Sequence, residues 1–362
     1  MKACREVPGS GVPEKGSPPK NAGPPKRVIP PRGRNSLFRR LVPWLAVGFA
    51  YALITLLMYT KMINPYWQQI IQFALIMMIS ALGLNLIYGY TGQFSLGQAA
   101  FYGIGAYTSA LITKSFPQGG IPVFIVSMLA AVAVVAVVAF LIGMPILRLK
   151  SDYLGIATLA FGIIVKVLFD NADAVIPKLG GSRGMLGIPK YTNFTWTFFM
   201  ALGAVAAIRN FVFSSLGRAC ISIREDEIAS ESVGVNTTRY KTMGFVLGCS
   251  FAGAAGVLYA HLYSFLHPSN FDFLKSIDVL LIVVLGGLGS ISGTIIAAIG
   301  WTFLLEGLRV VLPPQILDWR LVIYPLLLII VMILKPKGLW GGMEFNFLKP
   351  REKWDRSLES RD

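Results

Sequence analysis

The sequence is poor in the residues that build most catalytic and metal centres. It has two histidines and three cysteines, and its charged residues make up only 14% of the chain. Cys4, Cys220 and Cys249 are odd in number and fall in a basic tail, a charged loop and an apolar run, so no disulfide framework is visible. HExxH and CxxC are absent, and His261 and His267 have no carboxylate at ligand spacing; at a helix end beside Pro268 they read as interfacial polar residues rather than metal ligands. The P-loop pattern GxxxxGK followed by Ser or Thr is also missing, and the nearest Gly-rich stretch, Gly286 to Gly293, contains no lysine. A chain without that phosphate cradle is not expected to hydrolyse ATP. The first 40 residues lack the apolar core of a signal peptide, and the run beginning at Leu41 has no small-residue cleavage site after it, so it is expected to stay as an anchor.

What the sequence has in quantity is apolar surface. At 54% hydrophobic residues and a mean hydropathy of +0.63, it cannot cover a water-soluble body of this length. The apolar residues gather into runs near the ~20 needed to cross a hydrocarbon core. They are Leu41–Tyr59, Tyr66–Tyr88, Phe94–Thr113, Pro122–Leu147, Tyr153–Phe169, Phe194–Phe213, Lys241–Tyr263, a short Ile277–Leu285, Thr294–Leu312 and Leu321–Leu334. Unpaired backbone groups do not survive in lipid, so each run reads as helix. The expected fold is an all-α integral membrane protein with about eight to ten transmembrane or re-entrant helices.

The formal charge of +15 is concentrated rather than spread. Residues 1–40 hold ten Lys and Arg against Glu6 and Glu14, next to the first apolar run. Basic flanks of this kind hold a segment in the cytoplasm, which accounts for the charge without nucleic acid. Residues 1–36, rich in Pro-Pro pairs, read as a disordered basic tail; Arg32, Arg34, Arg39 and Arg40 are suited to anionic membrane lipid. The helical body is expected over 37–335 and a C-terminal tail over 336–362. With the N-terminus inside, an even number of crossings puts Arg148 and Lys150, then Arg218 to Lys241, then Lys335 and Lys337, on the cytoplasmic side, with both termini. Asp170–Tyr191 and Ser264–Lys275 then lie outside.

Two runs are interrupted by glycine. Leu82–Gly105 reads LGLNLIYGYTGQFSLGQAAFYGIG and Val284–Gly293 reads VLGGLGSISG. Such breaks suit either a translocation pathway or close helix packing. Glu306 and Arg309, three apart on one helical face, read as a self-neutralising pair, and Lys166 and Asp278 as residues that snorkel from helix ends. The most polar internal segment, Ser214–Lys241, is long enough for its own helix, with Ile221, Ile228 and Val235 seven apart and Arg224, Glu225, Asp226, Glu227 and Glu231 between them. A solvated loop and a partner-docking helix both fit it. The missing engine favours docking, because a permease without an ATPase takes its force through such a contact.

These segments, together with DYLGIATLAFG near Tyr153 and GGSRGMLGIP from Gly180 to Pro189, resemble the LivM-type permeases of branched-chain amino-acid ABC transporters. The resemblance runs from the second apolar run to Leu334. It implies a half-channel in the bacterial inner membrane, paired with a LivH-type permease, two cytoplasmic ATPase subunits that bind the ATP and Mg, and an extracytoplasmic substrate-binding protein. No cofactor is implied for this chain. The coupling segment is implied over Arg218, Ile221, Arg224, Glu225, Asp226, Glu227, Ile228, Glu231 and Gly234; Gly234 has Ile228 six residues before it, where the EAA pattern of importer permeases has its glutamate, and Glu227 is one residue off. Candidate pathway residues are Asn85, Gln93, Ser95, Gln98, Gly286, Gly287, Ser290, Ser292 and Thr294, small or neutral groups that pass a zwitterion without trapping it. A urea or short-amide permease suits the same groups. A stand-alone channel or ion-coupled carrier needs a titratable relay, for which Glu306 alone is thin support.

Overall fold

The computed structural model describes residues 38–148, 151–311 and isolated positions between 326 and 344, among them Gly338, Leu339 and Glu344. The tail 1–36 with Cys4, Lys150, most of Leu321–Leu334 and most of 336–362 lie outside the described residues. The chain divides into two units, Met1–Gly48 and Phe49–Asp362, and every contact given below is within the second.

Eleven α-helices follow one another among the described residues. They are α1 (Phe38–Tyr59), α2 (Pro65–Leu84), α3 (Gln98–Ser115), α4 (Gly120–Ile146), α5 (Ser151–Asp170), α6 (Phe194–Val212), α7 (Ser215–Glu225), α8 (Glu227–Ser232), α9 (Thr237–Tyr263), α10 (Phe273–Gly286) and α11 (Ile291–Val311). A π-helical turn, Asn85–Tyr90, prolongs α2. Among the described residues, six segments are long and apolar enough to cross a membrane: α2 with its π-turn, α4, α5, α6, α9 and α11. Runs as β-branched as AVAVVAVV in α4 are helical because a helix satisfies its own backbone where no water can. Of the helices outside this set, α3 and α10 are the partners of the glycine breaks.

Burial sorts the spans. α2 is 83% buried and α9 67%, against 22% for α4 and for α5, so α2 and α9 form the centre and α4 and α5 turn apolar flanks outward. The centre is closed by small residues. Gly244, Gly248, Ala252 and Gly256 recur every fourth residue along α9 and bring its backbone against α2 and α3. At Gly256 a methyl group would fall inside the Tyr102 carbonyl.

Linkers collect at the two ends of the helices. The end of α4 and the start of α5 lie beside the α7–α8 corner, where Leu147 and Leu154 face Ile223. At the other end the α5–α6 and α9–α10 linkers meet in a two-residue antiparallel ladder, β1 (Met185–Leu186) with β2 (Phe265–Leu266). His261 fastens that end. It is fully buried, not interfacial: its Nδ1 donates to the Pro189 carbonyl at 2.8 Å and its Nε2 lies 3.0 Å from Ser109 Oγ. The described residues hold no group of three His, Cys, Asp or Glu suited to a metal.

The charged residues inside the apolar runs are paired. Arg309 lies 3.7 Å from Glu306, which also accepts from Tyr66 Oη at 3.3 Å, as the spacing predicts. Lys166 and Asp278 differ from the snorkelling expected of them. Lys166 meets Asp272 at 3.1 Å, 106 residues away, and Asp278 lies 3.9 Å from Lys275, so each carries its counter-charge with it.

Candidate functional site

The two glycine breaks, about 200 residues apart in sequence, meet around one side chain. Asn85 opens the π-turn at the end of α2, where the surplus residue of an i→i+5 turn aims it sideways. It is 1% exposed. Its Nδ2 donates to the Ser290 carbonyl at 3.0 Å and to Thr294 Oγ1 at 2.9 Å, and its Oδ1 accepts from Gly289 N at 2.9 Å. An amide buried with three good partners specifies its neighbours, since each partner left alone costs its desolvation. Close approach of the backbones needs glycine at 89, where a Cβ would overlap Asn85 Oδ1 and sit 2.5 Å from Gly289 N.

The second break, Gly287–Ser290, is capped from two directions. Ser290 Oγ accepts from Gly293 N at 3.0 Å, an N-cap for α11. The Glu344 carboxylate accepts from Ile291 N at 2.6 Å, Ser292 Oγ at 2.5 Å and Ser292 N at 3.3 Å, a negative group at the positive end of the helix. Leu339 N donates to the Leu285 carbonyl at 2.8 Å, so the chain near 339–344 returns to the break. Nothing in the sequence pattern singles out Glu344, because a lone carboxylate in a polar tail reads as solvated.

The first break, Thr91–Gly97, leads into α3. Gln98 Nε2 donates to the Ser80 carbonyl at 3.1 Å, Leu96 N to Thr158 Oγ1 at 3.0 Å, and Ala99 N to Ser276 Oγ of α10 at 2.9 Å. Ser95 accepts weakly from Gly97 N at 3.4 Å. Gln93 differs from all of these: it is 2% exposed, and neither atom of its amide has a partner.

Segment Ser214–Lys241 forms two helices rather than one, and no single helix runs from Arg224 to Val235. Asp226 ends α7 and caps α8, accepting from Ala229 N at 3.0 Å, so the seven-residue spacing of Ile221, Ile228 and Val235 is cut. The inward residues of α7 are Gly217, Cys220 and Ile223; Ile221 is half-buried and Ile228 is 79% exposed. Burial pushes the Cys220 thiol up to about 11. Ser222 and Ser230 lie 2.7 Å apart and tie the two helices together, Lys241 Nζ meets Glu227 at 2.5 Å, and Glu231 accepts from Thr237 Oγ1 at 2.6 Å. The Arg218 guanidinium donates to the Phe213 carbonyl at 3.2 Å, and Gly234 turns the chain into α9 with φ +87°.

Arg224 joins this corner to both breaks. Its Nη1 donates to the Gly89 carbonyl at 2.6 Å. A Cβ at Gly92 would fall 3.0 Å from its Cγ, and one at Gly289 3.0 Å from its Nη1, so the side chain lies across both glycines. Glu225 holds the guanidinium from the other side through Nε and Nη2. Between Thr91–Gln93 and Ile223–Glu227, a cavity of about 240 Å³ is closed by Leu147, Leu154 and Lys241. Of the sequence-predicted residues, Asn85, Ser290 and Thr294 thus share one cluster, which Arg224 reaches at Gly89 and Gly289, whereas Gln98 and Ser95 sit at the root of α3 and Ser292 faces Glu344.

Comparison with known proteins decides the family. Residues 66–332, which contain both breaks and the α7–α8 corner, match the model of the branched-chain amino acid transport system permease component. The chain belongs to that family. Among its relatives, the high-affinity branched-chain amino acid transport system permease protein LivM of Salmonella typhimurium is 35% identical over 299 residues, covering 73% of this chain and 68% of the relative. The LivM protein of Escherichia coli has the same identity and coverage. LivH of Escherichia coli is 27% identical over 288 residues, covering 73% of this chain and 91% of LivH. No solved structure matches. The permease is therefore a polytopic all-α membrane protein and a component of a transport system.

Proposed function

We propose that this permease moves leucine, isoleucine and valine inward across the bacterial inner membrane as one subunit of an ABC importer, powered by separate ATPase chains. The relatives it resembles are named for branched-chain amino acid transport. It pairs with a second, LivH-type permease, takes cargo from an extracytoplasmic binding protein, and leaves ATP and its Mg to two cytoplasmic ATPase subunits. Arg148 and the Arg218–Lys241 segment share one end of the helices, which by the positive-inside rule is the cytoplasmic end, with the termini on the same side. The β1–β2 ladder and the basic residues Lys178, Arg183 and Lys190 then face the binding protein.

The observation that carries the mechanism is the Arg224 bond to Gly89 O beside Gly289. Force delivered to exposed Ile228 and the acidic corner travels along α7 to Arg224 and reaches both breaks at once, through Gly89 directly and through Asn85 to Gly289, Ser290 and Thr294. The breaks then switch access for a cargo that meets only neutral groups. A hydrogen bond to a charged group is worth about 1.5–3 kcal/mol. In the reconstituted complex, Arg224→Ala is therefore expected to lower substrate transported per ATP hydrolysed by about tenfold or more. Arg224→Lys keeps one donor and restores part of it. An unchanged ratio in Arg224→Ala refutes the relay. Binding of leucine, isoleucine, valine and urea to the secreted partner tests the cargo, and a preference for urea overturns it.

A further inference from the structure

The cavity at the α7–α8 corner is lined by residues beyond those the relay uses. One wall is aliphatic, made by the buried side chains of Leu147, Leu154 and Ile223. The same lining carries two ion pairs, Arg224 with Glu225 and Lys241 with Glu227, so both signs of charge are offered at one place. Gln93 also lines the cavity, 2% exposed, with both amide atoms unpartnered. A primary amide buried without partners is destabilising, so the group is placed for something that enters. Its volume, about 240 Å³, gives room for a small organic molecule. The carboxylates in the lining repel polyanions.

We propose that this cavity binds a free α-amino acid with a branched aliphatic side chain. The side chain lies on the Leu147, Leu154 and Ile223 wall, the carboxylate between Arg224 and Lys241, and the ammonium against Glu225 and Glu227, with Gln93 bonding either end. A zwitterion inserted between two ion pairs keeps every charge opposed. The ligand class rests on the proposed cargo; the site itself rests on the lining. Because the ligand carboxylate competes with Glu225 for Arg224, occupancy loosens the guanidinium that holds Gly89, and product accumulated on this side slows the cycle.

The test uses the complete transporter in nanodiscs without its binding protein, and tritiated leucine as the probe. Leucine is expected to bind saturably, to be displaced by isoleucine and valine, and to resist displacement by isovalerate, isopentylamine or glycine, each of which lacks one part of the recognition, and by urea, which lacks all three. Gln93→Leu and Leu154→Gln are each expected to weaken binding about tenfold. Free leucine is also expected to reduce ATP hydrolysis stimulated by loaded binding protein, and to do so less in Leu154→Gln. Absence of leucine binding to the unmodified complex, or binding unchanged in both variants, overturns the site. Leucine uptake in proteoliposomes is measured alongside. Uptake without the binding signal refutes this inference and leaves the function standing, whereas leucine binding at this cavity in a complex that takes up only urea refutes the cargo and leaves the site.

Discussion

Replacing Asn85 by leucine, close to it in shape, tests whether the two breaks are one device. The change removes two donated bonds, to Ser290 O and Thr294 Oγ1, and one accepted from Gly289 N. Interhelical hydrogen bonds in membranes average about 0.6 kcal/mol. Ser290 O and Thr294 Oγ1 keep each other, at 2.8 Å, so for those two the loss is about 1 kcal/mol in all. Gly289 N–H is left facing a leucine methyl, and an orphaned buried donor costs about 1–3 kcal/mol. The expected penalty is about 2–4 kcal/mol, most of it from the single bond to Gly289. The assay is the apparent unfolding midpoint of the purified complex, followed by transport. Asn85→Leu is expected to lower the midpoint by several degrees and to abolish uptake. Thr294→Val alone is expected to cost well under 1 kcal/mol, because Asn85 keeps its other two partners. If Asn85→Leu unfolds and transports as the parent does, the breaks are not coupled through this residue.

Other residues give independent checks. Glu344→Ala removes the carboxylate from the start of α11, with an expected cost of about 1–2 kcal/mol; limited trypsin digestion at Lys335 and Lys337 should speed up severalfold, and an unchanged rate would show that the carboxylate does not anchor that segment. Cys220, with its thiol raised to about 11 by burial, should resist alkylation at pH 7 in a Cys4→Ser chain, its rate climbing about tenfold per pH unit as the thiolate fraction grows between pH 8 and 10. Rapid labelling at pH 7 would contradict the burial. Gly256→Val forces two branches into the Tyr102 backbone, an overpacking cost of at least about 1–3 kcal/mol; the variant should insert and then be lost to proteolysis, and a normal yield of assembled complex would mean that α3 and α9 can part.

The spans were readable because length and apolarity are local. Tyr66–Tyr88 and Phe194–Phe213 end within two residues of the observed Pro65–Tyr90 and Phe194–Val212. α9 begins at Thr237, a turn before the expected Lys241, because Asn236 caps it through Arg239 N at 3.0 Å while the apolar run starts later. The breaks were visible as glycine, and Asn85, Ser290 and Thr294 as polar residues within them. Their meeting was not, since contacts about 200 residues apart leave no mark in one sequence. Neither was the pairing of Lys166 with Asp272, for the same reason. The split of α7 from α8 had a signal that periodicity hid: Asp226, three residues before Ala229, is a cap as much as a charge.

The π-turn at Asn85–Tyr90 has a consequence for how the permease moves. A helix holding one residue too many is wound to a register that an ordinary α-helix does not share, and the two registers differ by one residue, a rotation of about 100°. Rewinding this turn would swing the Gly89 carbonyl off the guanidinium and carry Tyr88 and Tyr90 around the axis. In the proposed relay, a pull on Arg224 would therefore meet a click stop rather than a spring, with the end of α2 holding one setting or the next.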